Sequence, residues 1–180
     1  MLSDEEYMAY ALELAEKAYS LGEAPIGAVV VKKSTGEIIG RGYNLRETKK
    51  SPLAHAEIMA LDEASKALGG WRVVDSVLYV TLEPCPMCAG AIINSRIDRV
   101  VYGARDEKAG SVQSVVSLFE LDYNHKPEVT GGVSEKECSE ILSRFFKELR
   151  IRKNTEKANR CVDPNNIHQL RDLNNNSKNQ

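Results

Sequence analysis

The chain has 180 residues, a length that fits one domain of ordinary size, with a core large enough to fold without disulfides. Its formal net charge of -2 at pH 7 gives no general attraction to nucleic acid, so any such binding requires a local basic patch. The acidic start MLSDEE does not resemble a signal peptide, and no apolar run approaches the roughly 20 residues of a membrane span. We therefore expect a soluble, cytoplasmic protein.

An amphipathic helix over residues 4–21 is the first predicted element, because a capping-box pattern, S-x-x-E, precedes its apolar stripe. Two β-rich runs at 26–32 and 37–43 then flank the turn sequence KSTG and predict an antiparallel hairpin. A polar loop over 44–53 follows the hairpin.

The rest of the chain alternates helical and strand patterns. The patterns predict a helix at 55–68, a buried strand at 77–82, a short helix from near Pro86, a strand at 98–104 and an amphipathic helix at 134–153. Such alternation predicts an α/β sandwich with a mixed sheet. We expect one domain over residues 1–153 and a flexible, Asn-rich tail over 154–180 that is poor in large apolar side chains.

Two predicted helix starts carry the chemically unusual residues. His55 and Glu57 interrupt the apolar run PLAHAEIMAL, and Cys85 and Cys88 follow about thirty residues later in PCPMC. One imidazole and two thiolates are three ligands, and three ligands with one open position are typical of a catalytic Zn²⁺ site. Positive helix N-termini favour thiolates. Glu57 is the only carboxylate at its junction, so we expect it to act as the base toward a zinc-activated water.

Two non-catalytic interpretations compete with the open site. A structural zinc knuckle needs a fourth ligand, and the conceivable donors are Cys138, His125, Cys161 and His168. The first of these lies on an apolar helix stripe, and the others lie in a loop or in the tail. A thioredoxin-like interpretation of Cys85 and Cys88 leaves His55 and Glu57 without a role. The catalytic interpretation is the one that uses all four residues.

The pairing of HAE with PCPMC resembles the signature of the zinc-dependent nucleobase deaminases. The segments HAEIMAL, LYVTLEPCPMCAGAIINSRI and RVVYGARD are similar to the bacterial branch that converts the wobble adenosine of an arginine tRNA to inosine. The similarity runs from about Asp4 to Lys153. It implies a cytidine-deaminase-like three-layer α/β/α sandwich with a mixed, roughly five-stranded central sheet, and a homodimer that acts on the tRNA anticodon stem-loop.

The resemblance also implies roles for individual residues. Zn²⁺ would be held by His55, Cys85 and Cys88, with water as the fourth ligand. Glu57 would take the proton of that water as C6 of a flipped adenine is attacked, protonate N1 and then help ammonia to leave. Asn44 matches the residue that hydrogen-bonds the base, and the backbone of Ala56 lines the same pocket.

Positions that face RNA in the family are carried over as well. They are Arg46, Asp106, Lys108, Asn124, His125, and Phe145 or Phe146. A basic run on the last helix is the expected phosphate contact, and it consists of Arg144, Lys147, Arg150, Arg152 and Lys153. The segment 110–120 and Ala24 depart from the family pattern, and the Asn-rich tail has no counterpart in it.

Two other functions remain open from the sequence. A deaminase of a free base or nucleoside, such as guanine or cytidine, would share the whole zinc site, so the catalytic residues do not separate it from the RNA enzyme. The basic last helix favours RNA. A zinc-stabilised RNA-binding module without catalysis differs in a testable way, since it would keep all its function in a Glu57→Ala variant.

Overall fold

The computed structural model describes residues 2–162, and its centre is a five-stranded mixed sheet. The strands are β1 (Gly27–Lys32), β2 (Ile38–Tyr43), β3 (Ser76–Leu82), β4 (Arg99–Ala104) and β5 (Glu128–Gly131). The α-helices are α1 (Asp4–Ser20), α2 (Arg46–Lys49), α3 (Ala56–Leu68), α4 (Pro86–Ser95) and α5 (Glu135–Val162), and a 3₁₀ turn covers Leu118–Glu120. The strand order is β2-β1-β3-β4-β5.

The sheet joins an antiparallel half to a parallel half. β1 pairs antiparallel with β2 and β3, whereas β3–β4 and β4–β5 are parallel. Parallel neighbours need a crossover, and α4 provides it between β3 and β4. The carboxyl end of β3 therefore leads directly into the helix that begins at the Cys85 junction.

Alternate residues of the central strands pack into two apolar cores on opposite faces of the sheet. Val30, Leu78 and Val100 face the core that contains apolar residues of α3 and α4. Their sequence neighbours Val29, Tyr79 and Val101 face the core that contains Tyr7, Met8 and Ala11 of α1 and Cys138 of α5. Helices thus cover both faces, and the predicted three-layer α/β/α sandwich with a five-stranded mixed sheet is confirmed.

The chain divides into two compact units, Met1–Ser143 and Arg144–Gln180. The first contains the whole sheet and helices α1 to α4. Of the second, the structure describes residues 144–162, which form a continuous helical segment with mostly exposed side chains. Residues 163–180 of the predicted flexible tail lie outside the described part of the chain, and the division into a 1–153 domain and a 154–180 tail stays a prediction.

Two boundaries differ from the sequence patterns. The last helix does not end near Lys153 but continues to Val162, because a helix already formed gains one hydrogen bond per added residue even where all its side chains are exposed. β5 has four residues with no buried position, so it lacks the apolar alternation by which a strand is recognised. Within residues 2–162, no helix is both long and apolar enough to cross a membrane.

Candidate metal and catalytic site

Two helix starts bring the predicted metal ligands together. His55 is the N-cap of α3 and Cys85 is the N-cap of α4, both with extended backbone conformations. Pro86 occupies the first position of α4, where its missing N–H costs no helical hydrogen bond. Neither cap residue uses its side chain to cap its own helix. The imidazole and the thiol are directed toward each other instead.

The three side chains form a compact donor group. Nδ1 of His55 lies 3.7 Å from Sγ of Cys85 and 3.6 Å from Sγ of Cys88. All the ligand atoms are within 4.8 Å of one another, and no second such group of His, Cys, Asp or Glu occurs among the described residues. A tetrahedral zinc ion separates its nitrogen and sulfur ligands by about 3.5 Å. The donor set and its spacing therefore fit Zn²⁺.

The predicted donors of a closed zinc knuckle do not join this group. Cys138 is fully buried in the core on the α1 face of the sheet, while α3 and α4 pack on the opposite face. His125 donates a hydrogen bond from Nε2 to the carbonyl oxygen of Ile97 at 2.5 Å, which occupies that nitrogen. The side chains of Cys161 and His168 lie outside the described part. In residues 2–159 the group has three ligands, as an open site requires.

The two thiols differ in acidity because they share a hydrogen bond. Hydrogen bonds from Cys88 and His55 outweigh burial and lower the pKa of Cys85 to about 4. The pKa of Cys88 is raised because its thiol donates a hydrogen bond to Cys85 and because it is buried. The hydrogen bond with Cys85 also raises the pKa of His55. The pair thus holds one negative charge, and a bound divalent cation would favour ionisation of the second thiol.

Glu57 lies in the first turn of α3, two residues beyond His55, and is only 4% exposed. Burial raises the pKa of its carboxyl to about 7, with a further contribution from the charge of Cys85. Such a carboxyl exchanges its proton readily near neutral pH, as a group that both takes and returns a proton must.

Asn44 follows β2 directly and is 4% exposed. Its backbone N–H donates to the carbonyl of Ile26, and the N–H of Leu45 donates to the carbonyl of Ala54, next to His55. The side-chain amide of Asn44 makes no hydrogen bond to any described residue, and its polar atoms are not sealed from solvent. An amide in this state can bind a polar ligand.

A close backbone approach holds the start of α3 against β2. A Cβ atom at Gly42 would lie 2.0 Å from the carbonyl oxygen of Ala56, so only glycine fits there. Ala56 itself is fully buried, and its backbone forms the first turn of the helix between His55 and Glu57. The segment before Asn44 and the segment containing the metal ligand are thereby placed side by side.

The remaining predicted RNA-facing residues are not equally available. Arg46 begins α2 and is exposed, as is Lys108. Asp106 is half-buried and accepts hydrogen bonds from the N–H groups of Lys108 and Ala109. Asn124 accepts a hydrogen bond from Arg96.

The phenylalanine pair separates clearly into one buried and one exposed ring. Phe145 is 8% exposed and Phe146 is 43% exposed, with the ring centroids 5.4 Å apart. The family pattern carries over Phe145 or Phe146, with Phe145 as the preferred contact, and of the two Phe146 offers the ring that a base can reach. The assignment of Phe145 as a substrate contact stays a prediction that its burial disfavours.

Two buried glutamates were not singled out from the sequence. Glu23 and Glu83 are 1% and 2% exposed. For each, burial acts to raise the pKa, but hydrogen bonds from neighbouring backbone and side-chain groups outweigh it and hold the pKa below the usual value. The only sequence signal for a special role was the position of Glu83, which directly follows the apolar run VLYVTL and precedes Pro84 and Cys85.

Comparisons with known proteins agree with this chemistry. A family model described as MafB19-like deaminase matches residues 2–150. The tRNA-specific adenosine deaminase of Bacillus subtilis (strain 168) is 51% identical over 160 residues, covering 88% of this chain and 98% of that protein. A structure from a study of A-to-I editing by tRNA:A34 deaminases at the wobble position of transfer RNA matches with a TM-score of 0.73 and 44% identity, covering 76% of this chain and 99% of that one.

A guanine deaminase is also similar. The structure of the enzyme from Bacillus subtilis matches with a TM-score of 0.56 and 37% identity, covering 70% of this chain and 79% of that one. These relatives are all deaminases. The first two are named for an adenosine of tRNA, and the third is named for guanine.

Proposed function

The chain belongs to the family of the tRNA-specific adenosine deaminases, and from that membership we propose that it hydrolyses the wobble adenosine in a tRNA anticodon loop to inosine. An arginine tRNA is the expected substrate. The observation that carries the proposal is the donor group of His55, Cys85 and Cys88 beside the buried carboxyl of Glu57. It provides a metal site and a proton carrier at two adjoining helix starts.

Zn²⁺ held by His55, Cys85 and Cys88 would supply a positive charge that lowers the pKa of a water to about 7. Glu57 takes a proton from the attacking water while the oxygen of that water bonds to C6 of adenine. The same carboxyl then delivers that proton to N1 and assists the second proton transfer to the amino group. The C6–N bond breaks, so one water is consumed and one ammonia is released.

The base must be held while these protons move. The buried amide of Asn44, which has no partner among the described residues, is proposed to hydrogen-bond the flipped adenine, and the backbone of Ala56 borders the same pocket. Arg46, Asp106, Lys108, Asn124, His125 and one of the two phenylalanines are proposed to contact the loop. A single-stranded anticodon loop suits such a site because its bases are unpaired and are extruded at low cost.

The finer properties are also proposals. The enzyme is expected to be cytoplasmic, where tRNA is modified, and to bind one zinc ion per subunit. It is proposed to form a homodimer. Support comes from the family resemblance and from four exposed large apolar side chains between residues 115 and 123, namely Val115, Val116, Leu121 and Tyr123.

The test is inosine formation at the wobble position of an arginine-tRNA anticodon stem-loop. The wild-type protein should convert the adenosine, and Glu57→Ala should retain one zinc per chain but lose turnover by a factor of about 10² to 10⁴, the usual contribution of a positioned acid–base group. An exposed carboxylate on the same helix, Glu63, provides the control, since Glu63→Ala should remain active. Full activity of Glu57→Ala would refute the proposed mechanism.

Guanine deamination is the second candidate because a guanine deaminase is 37% identical to this chain. Guanine deamination would use the same proposed metal site of this chain, so only the substrate separates the two functions. Release of ammonia from free guanine without conversion of the stem-loop would decide in its favour.

A further inference from the structure

The structure contains two buried carboxylates, Glu83 and Glu23, whose hydrogen bonds go to two segments that carry predicted RNA contacts. We propose that both are positioning residues: Glu83 fixes the segment 106–114, with Asp106 and Lys108, and Glu23 fixes α2, with Arg46. This inference rests on the proposed function. It adds residues that touch no substrate and act through the loops they hold.

Glu83 is saturated with hydrogen bonds from one segment. Its Oε1 accepts from the backbone N–H groups of Val112, Gln113 and Ser114, at 3.2, 2.7 and 2.9 Å. Its Oε2 accepts from the N–H of Asp106 at 3.2 Å and from the Ser114 hydroxyl. The two ends of the segment are therefore bound to one carboxylate, and both donate to its Oε2.

Packing confirms how closely the segment follows this side chain. A Cβ atom at Gly110 would lie 2.4 Å from the Glu83 carboxyl carbon, so the chain crosses the carboxylate in direct contact. Between the two ends, Asp106 accepts hydrogen bonds from the N–H of Lys108 and of Ala109. Lys108 is thus linked to Glu83 through Asp106, whose carboxylate binds the N–H of Lys108 and whose own N–H binds Glu83.

Glu23 plays the matching role at α2. The N-cap residue of this short helix is Leu45, whose side chain has no oxygen to cap the first turn. Glu23 supplies the missing acceptors, taking the N–H of Thr48 at 2.6 Å and the N–H of Glu47 at 3.2 Å. Arg46 lies immediately before these two residues, so its direction depends on a carboxylate more than twenty residues away.

Neither carboxylate forms a salt bridge within the described residues. A buried charge is costly unless it is fully hydrogen-bonded, and here backbone N–H groups and a hydroxyl supply the bonds. Glutamine has the same shape but presents one N–H₂ group in place of an acceptor. In Glu83→Gln, the amide oxygen can still accept from the N–H groups of Val112, Gln113 and Ser114. The N–H₂ group then faces the N–H of Asp106, and two donors cannot hydrogen-bond each other.

Hydrogen exchange tests whether each glutamate holds its own segment. We expect Glu83→Gln to accelerate amide exchange about tenfold or more in residues 106–114 and to leave residues 46–49 unchanged, with the reverse pattern in Glu23→Gln. The exposed Glu63, changed to glutamine, is the matched control and should alter neither segment. Equal exchange in all the variants and the wild type would overturn the proposal.

RNA binding tests whether the held segments matter for the substrate. In a Glu57→Ala background, which binds without turnover, each glutamine variant should raise the Kd for the stem-loop roughly tenfold, because RNA binding must then order a segment that the wild-type protein already holds in place. In the active background, KM should rise by a similar factor while kcat stays within about twofold. Zinc content and the absorption spectrum of the cobalt-substituted protein should remain unchanged, because the role runs through the loops.

The outcomes separate this inference from the proposed function. Failure of the wild-type protein to form inosine would overturn the proposed function. Inosine formation with unchanged Kd and KM in both glutamine variants would overturn the positioning role, and so would loss of zinc or an altered cobalt spectrum in Glu83→Gln. If that variant does not fold, Ser114→Ala removes only the hydroxyl donor and should raise Kd by a smaller factor of about three; an unchanged Kd there would also count against the proposal.

Discussion

His55 and Glu57 are only two residues apart, a spacing that on a continuous helix directs side chains about 200° away from each other. The structure resolves the difficulty because His55 is the N-cap and has an extended backbone, with a ψ of 152°, while Glu57 is already inside the helix. The direction of the His55 imidazole is therefore not set by helical geometry. A metal ligand and a proton carrier can lie at one helix end.

Removal of single cysteines tests the ligand set. Cys88→Ala should bind well below one zinc per chain, because it leaves two of the three donors that lie within 4.8 Å. Cys138→Ala should keep one zinc per chain, since Cys138 lies in the core on the other face of the sheet. Atomic absorption on the purified proteins measures both. Zinc loss in Cys138→Ala with retention in Cys88→Ala would contradict the open three-ligand site.

At the level of single residues, the sequence was sufficient for groups whose chemistry is unusual in their setting. An imidazole, a carboxylate and two thiols at predicted helix starts could be recognised from the sequence alone. Glu23 and Glu83 could not, because a glutamate in a loop is unremarkable until its hydrogen-bond partners, up to 31 residues away, are known. Nor could spacing decide which ring of Phe145 and Phe146 is exposed.

Among the elements, the contact between β2 and α3 determines how the site is assembled. The backbone at Gly42 and the carbonyl of Ala56 are so close that any side chain would push the helix away from the strand. His55 and Glu57 would move with the helix, and Asn44 follows the strand. The geometry between base and proton carrier therefore depends on this one contact.

A pair of glycine substitutions tests this contact. Gly42→Ala should lower the free energy of unfolding by about 2 kcal/mol or more, since the added Cβ meets backbone that cannot move aside. Gly90→Ala, in α4, meets nothing within 4 Å and should raise it by about 0.5–1 kcal/mol. Urea unfolding followed by circular dichroism measures both. A harmless Gly42→Ala would show that β2 and α3 are not rigidly apposed.

Elements with a strong local signal were predicted well from the sequence. The capping box of Ser3 and Glu6 is present with both hydrogen bonds, and α1 covers the predicted residues to within one position. β5 and the end of α5 were beyond such reasoning. The first is a short edge strand held by pairing with β4, and the second is an exposed helical segment whose polar composition resembles that of a loop.

For the molecule as a whole, one polar cluster ties the first helix to the sheet. Asp4 accepts two hydrogen bonds from the guanidinium of Arg99 and a third from the hydroxyl of Tyr79. These residues belong to α1, β4 and β3, so the cluster connects a helical layer with two central strands. Burial opposes the charge on Asp4, but the bonds from Arg99 and Tyr79 outweigh it and hold the pKa of Asp4 below its usual value.

This cluster makes stability depend on pH. A carboxyl whose folded-state pKa is depressed stabilises the fold above its unfolded pKa of about 3.9, and the contribution is lost as the pH falls through the folded value. Asp4→Asn should therefore cost about 1–2 kcal/mol at pH 7 and progressively less below pH 4. Urea unfolding across pH 3–7 measures the difference. The exposed pair of Asp62 and Lys66 supplies the control, and Asp62→Asn should cost under about 0.5 kcal/mol.

A cost of Asp4→Asn that is the same at pH 3 and pH 7 would show that the carboxylate charge contributes nothing to the fold. A cost of Asp62→Asn as large as that of Asp4→Asn would show that burial and the three hydrogen bonds add nothing beyond an exposed ion pair.

The whole chain carries a net charge of -2, so attraction to tRNA must come from particular residues and not from the molecule at large. The similar proteins include tRNA adenosine deaminases and a guanine deaminase, and the substrate distinguishes these two functions. The most direct measurement is kcat/KM for an arginine-tRNA anticodon stem-loop and for free guanine with one zinc-loaded preparation. We expect inosine at the wobble position and no measurable xanthine. Xanthine formation with an unmodified stem-loop would contradict it.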